Sequence, residues 1–197
     1  MQVRIINVKE EVIKSAFELA MERISGLPEL TPQEIAEQKE KQFGPVGEAM
    51  AGKYLRGVIR ADEMLHELER YEGEPEQIIL RSLLSRLCGT LQLEGDAAAA
   101  DKALTVMSRI FPTKQTAVEK AAEKFRALSG RFEQEREKKR AEMKPEAAER
   151  MGITGSAVRY NLDDYGPWME EIAKLRQACE PQAAAIRNRL LGDLTSE

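Results

Sequence analysis

The sequence predicts an all-α protein: a helical bundle core followed by a long antiparallel helical hairpin of coiled-coil-like character. Three observations predict it. Apolar residues recur at helical spacing along most of the chain. The composition, 42% hydrophobic and 32% charged, is that of long solvated helices around an aliphatic core. Two stretches in the C-terminal half carry heptad-like seams that can pair with each other.

The first helix is expected between Asn7 and Gly26. Asn7 can cap it and Glu10 can close a capping box. Val12, Ile13, Ala16, Phe17, Ala20, Met21 and Ile24 give it one apolar face, and Gly26 and Pro28 stop it. Thr31-Pro32-Gln33-Glu34 opens a second, polar helix, which Gly44-Pro45 is expected to break or kink near Phe43. A third is expected over 46–71, with Gly47, Gly52 and Gly57 marking close backbone approach to a neighbour. Glu74-Pro75 begins the most apolar helix, rich in Ile and Leu from Ile78 to Leu91, which should be central and end at Gly95. A short helix over 96–111 stops at Pro112.

Thr113 then caps a long helix reaching Met143, with Val118, Ala121, Phe125, Leu128 and Phe132 on its seam. The returning seam is Trp168, Ile172, Leu175, Cys179, Gln182 and Ile186, with a kink expected at Pro181. Aligned end to end, the seams put Phe132 opposite Trp168, Leu128 opposite Ile172, Phe125 opposite Leu175 and Ala121 opposite Cys179. The turn then falls near Arg150. The domains are accordingly 1–112, a compact helical core, and 113–197, the hairpin, with an irregular loop at 152–167.

The bulk numbers bound the function. A net charge of −4 argues against a nucleic-acid footprint for the chain as a whole. The basic excess is confined to residues 113–151, where 11 Lys and Arg face 8 Asp and Glu. Two cysteines, Cys88 and Cys179, sit on apolar stripes and read as reduced thiols. Met1 to Asn7 lacks the apolar run of a signal peptide, and no stretch approaches a membrane span. The expectation is a cytoplasmic protein with no membrane and no nucleic-acid partner.

Familiar chemical motifs fail on inspection. Gly47 to Gly52-Lys53 has P-loop spacing, but Tyr54 replaces the magnesium-binding Ser or Thr and no strand precedes it. Glu63-Met-Leu-His66 matches half of a di-iron motif, yet the chain has a single His. Arg136-Glu-Lys-Lys-Arg140 is interrupted by acids and reads as a solvated face stitched by pairs such as Glu135–Lys139. No catalytic set, metal site or cofactor is expected, and the chain is not read as an enzyme.

What remains is the loop. Residues 152–168 hold three glycines, the only Trp and two of the four Tyr. Arg159, Tyr160, Asn161, Asp163, Asp164 and Tyr165 are the candidate partner-binding residues, of types that favour binding hot spots or hydrogen bonding. Trp168 lies on the seam and should be structural. The function expected is a non-enzymatic interaction or assembly protein, homo-oligomeric, that contacts a protein partner through this loop. The alternative is a coiled-coil finger acting on a large complex through an acidic, metal-binding tip at Asp163 and Asp164.

Overall fold

A computed structural model describes residues 15, 31–150, 162 and 165–196, with backbone alone at 146–148. The chain divides into two compact units, Met1–Gln38 and Lys39–Glu197. The helix expected between Asn7 and Gly26 lies outside the described residues. Among those residues there are six α-helices and no strand, so the fold is all-α: α1 Pro32–Leu55, α2 Ala61–Leu68, α3 Glu74–Cys88, α4 Ala97–Ile110, α5 Gln115–Arg150 and α6 Gly166–Thr195. None of the described helices is long and apolar enough to cross a membrane.

The start of α1 is the capping box read from the sequence. The Glu34 backbone N–H donates to Thr31 Oγ1 at 3.2 Å, and the Thr31 N–H donates to the Glu34 carboxylate at 2.8 Å. The break expected at Gly44-Pro45 does not occur, and α1 continues through it. The break comes at Gly57, whose φ of 73° places it in the left-handed region. There the Gly57 N–H bonds Tyr54 O at 2.9 Å and the Val58 N–H bonds Lys53 O at 2.9 Å. These two bonds form a Schellman stop, which favours glycine because a Cβ would be strained. The helix expected over 46–71 is therefore two: the end of α1, and α2.

Packing explains why α1 survives its proline. Gly44, Gly47, Met50, Ala51 and Gly52 are buried. A Cβ on Gly47 would lie 2.1 Å from the Ile79 carbonyl oxygen, so the backbones of α1 and α3 are nearly in contact there. The close approach expected of these glycines is real at Gly47. Helix α3 is the central wall, burying Ile78, Ile79, Leu83, Leu84, Leu87 and Cys88. It ends at Gly89 rather than Gly95, because the Gly89 and Thr90 N–H groups turn back onto Ser85 and Leu87. Leu91 and Leu93 lie beyond it yet remain buried. Asp96 caps α4 by accepting from the Ala98 N–H at 2.9 Å.

Helices α5 and α6 pack along each other, antiparallel. At one end Lys139 Nζ lies 2.6 Å from Glu171 Oε2; at the other, Lys114 bonds the carbonyls of Leu194 and Ser196. The faces are those read from the seams, but the register differs. Met143, not Phe132, clusters with Trp168 and Ile172. Phe132 and Leu128 instead share a cluster with Leu175, Cys179 and Ala183. Met143 is eleven positions past Phe132, about three helical turns, so the slide keeps the same faces together. Accordingly α5 extends through Pro145 to Arg150 instead of ending at Met143, and α6 runs through Pro181.

The Lys114 end of this pair completes the bundle core. One buried cluster joins Met50, Met64, Leu83, Leu87 and Met107 with Val118, Phe125, Leu190 and Leu194. Arg187 adds a polar tie across it, donating to Leu91 O at 2.8 Å.

Candidate functional site

The far end of the α5–α6 pair is closed by an apolar plug. Leu162, Tyr165, Trp168 and Ile172 are buried together, with half-buried Met143 against them. The Tyr165 N–H bonds Leu162 O at 2.9 Å and the Met169 N–H bonds Tyr165 O at 3.1 Å. Tyr165 is thus the N-cap of α6, and Pro167 stands in the first turn, where its missing N–H costs no helical bond. Trp168 is structural, as its seam position implies. Tyr165, a candidate binding residue, also has a packing role.

Tyr165 is only 8% exposed, and its hydroxyl has no hydrogen-bond partner among the described residues. Arg140 Nε on α5 is likewise buried and unpartnered. Such groups are uncommon, because each forfeits its bond to water without replacement. Arg159, Tyr160, Asn161, Asp163 and Asp164 lie outside the described residues. Leu162 and Met143 were missed as site residues. The steps of 3, 3 and 4 from Leu162 through Tyr165 and Trp168 to Ile172 carry the signal that finds Leu162.

Below the plug a charge cluster links the two helices. Glu171 accepts from Lys139 Nζ at 2.6 Å and from Lys174 Nζ at 2.7 Å. Lys139 first, then Lys174, hold its carboxyl down to about 2, and Glu171 in turn raises the Lys174 ammonium. Lys139 therefore pairs across the helices and not with Glu135. Elsewhere in the basic run, Arg136 pairs with Glu133 at 3.2 Å and Arg140 with Glu137 at 3.5 Å, both within α5. Three of its four cations thus have a carboxylate at hand.

The other motifs take structural duties. Gly47 to Lys53 is helical and packed on α3. Glu63 accepts from the Arg60 N–H at 2.8 Å, serving the start of α2, while His66 stands exposed 3.3 Å from Glu69. Both cysteines are free thiols. Burial pushes the Cys88 thiol up to about 11, with Arg187 opposing, and its Sγ lies 3.9 Å from Met107 Sδ. Among the described residues no three His, Cys, Asp or Glu are grouped to hold a metal. Compared with family models, curated proteins and solved structures, the chain matches none.

Proposed function

We propose that the protein is a non-enzymatic interaction or assembly protein, cytoplasmic and self-associating, that engages a protein partner at the turn of its helical hairpin. The contacts come from Arg159, Tyr160, Asn161, Asp163, Asp164 and Tyr165. The observation that carries this reading is the Tyr165 hydroxyl, packed at the hairpin end with no hydrogen-bond partner among the described residues. A buried polar group left unpaired costs about 1–3 kcal/mol, which an incoming partner group recovers. The ring is held by Trp168, Leu162 and Ile172, so the hydroxyl keeps a fixed place just inside the hairpin end.

The test avoids excising the loop, because removing 153–166 also takes Leu162 and Tyr165 out of the plug. Affinity capture from a native lysate is compared for wild type, Tyr165→Phe, and the triple variant Arg159→Ala, Tyr160→Ala, Asn161→Ala. Loss of the same captured protein in both variants is expected, with the thermal midpoint of the triple variant unchanged and that of Tyr165→Phe unchanged or raised. Retention of that protein by both sinks the reading.

The acidic finger is a second reading, favoured by one observation. Asp163 and Asp164 are flanked by Leu162 and Tyr165, both in the same cluster as Trp168. Magnesium or manganese bound there should change Trp168 fluorescence, and Asp163→Asn with Asp164→Asn should remove the change. A flat titration discards it.

A further inference from the structure

At the opposite end of the α5–α6 pair lies a groove of about 500 Å³. Its floor is Ala117, Ala121, Ala185, Ile186 and Leu190, and its sides carry Lys120 and Lys124 from α5 and Arg189 from α6. Lys120 and Lys124, four apart, share one helical face. None of the described acids lies in ion-pair range of either, whereas most cations of the α5–α6 pair have a carboxylate at hand. Arg189 has only Asp193, at 3.8 Å.

We propose that this groove is a docking slot for an acidic amphipathic helix of a partner protein, a surface separate from the hairpin turn. The small floor residues let a third helix approach α5 and α6 closely. From Thr116 to Lys124 the groove follows about 12 Å of α5, at about 1.5 Å per residue, room for about two turns of an occupant. The cations decide which occupant. A single-headed amphiphile needs one positive charge at one end; here Lys120 and Lys124 stand a turn apart along the α5 rim, opposite the Arg189–Asp193 pair of α6, which suits a row of acids beside an apolar stripe. A second copy meeting this face about a twofold axis sets these cations against themselves. Lys114 is engaged elsewhere, bonding the Leu194 and Ser196 carbonyls at the end of α6.

The probe is a synthetic, fluorescein-labelled peptide with leucines at alternating third and fourth positions, glutamates flanking them and alanines elsewhere. Its twin carries lysines in place of the glutamates. Binding to the full chain is followed by anisotropy at low and at physiological salt. The acidic peptide should bind saturably and more weakly as salt rises. Lys120→Glu with Lys124→Glu, both exposed, should weaken it at least about tenfold. Ala185→Phe, which fills the groove from an exposed position, should weaken it too, while Tyr165→Phe should not. Equal binding of the lysine twin, or wild-type affinity in the double variant, overturns the proposal. So does binding only to phosphatidylglycerol vesicles, or self-association that the peptide does not displace.

Discussion

Replacing Gly47 by alanine tests the closest helix contact in the bundle. The added Cβ would sit 2.1 Å from Ile79 O, 2.9 Å from Leu83 N and 3.0 Å from Ile79 C, where ordinary contact begins at 3.4 Å. The two helices must therefore part by more than an ångström, and the obstructing atoms are backbone, which cannot rotate aside. Overpacking of this kind costs about 1–3 kcal/mol, and rigid backbone puts Gly47 at the upper end. Alanine returns about 0.5–1 kcal/mol through helix propensity. The net loss is about 2 kcal/mol, equivalent to a fall of about 4–8 °C in Tm for a unit of this size. Gly130, in α5, is the control: nothing lies within 4 Å of its Cβ position, so Gly130→Ala should gain about 0.5–1 kcal/mol. Both are read by circular dichroism during thermal and urea unfolding. A Gly47→Ala protein as stable as wild type refutes the geometry at the α1–α3 crossing.

Two further outcomes follow from the charge cluster and the thiols. The Glu171 carboxyl is held down to about 2, so its stabilising effect is present above its ordinary value of 4.5 and fades as pH falls towards 2. The Tm difference between wild type and Glu171→Gln should be constant above pH 5 and shrink below it; a difference independent of pH would disprove the pairing. In native protein, Cys179, half-buried, should react with a thiol reagent well before Cys88, which is buried and has its thiol pushed up to about 11. Equal rates in Cys88→Ser and Cys179→Ser proteins would contradict this.

How much of this was legible in the sequence depends on whether the signal was local. The Thr31 capping box, the apolar breadth of α3 and the glycine approach at Gly47 are written in neighbouring residues and hold in the fold. Gly44-Pro45 misleads because the penalty of a proline in a helix is local, whereas the burial that outweighs it comes from α3. The stop at Gly57 needs the left-handed backbone, and Gly57 looked no different from Gly52. The register of α5 on α6 escapes because a slide of eleven residues restores each face, leaving heptad arithmetic blind to it. At the hairpin end, Trp168 was placed by its seam. Tyr165 was not, because its plug neighbours include Met143, which lies beyond the seam as read.

Leu190 and Leu194 have a consequence for how the chain is made. They occupy the same buried cluster as Met50, Leu83 and Met107, and Arg187 reaches back to the Leu91 carbonyl. During synthesis the walls of α1 to α4 emerge first, with the face that α6 covers still open to water. Loop closure over that separation comes late and slowly. A nascent chain stopped before Leu194 carries an unsealed apolar surface, so chaperones would meet this bundle with its α6 wall still missing.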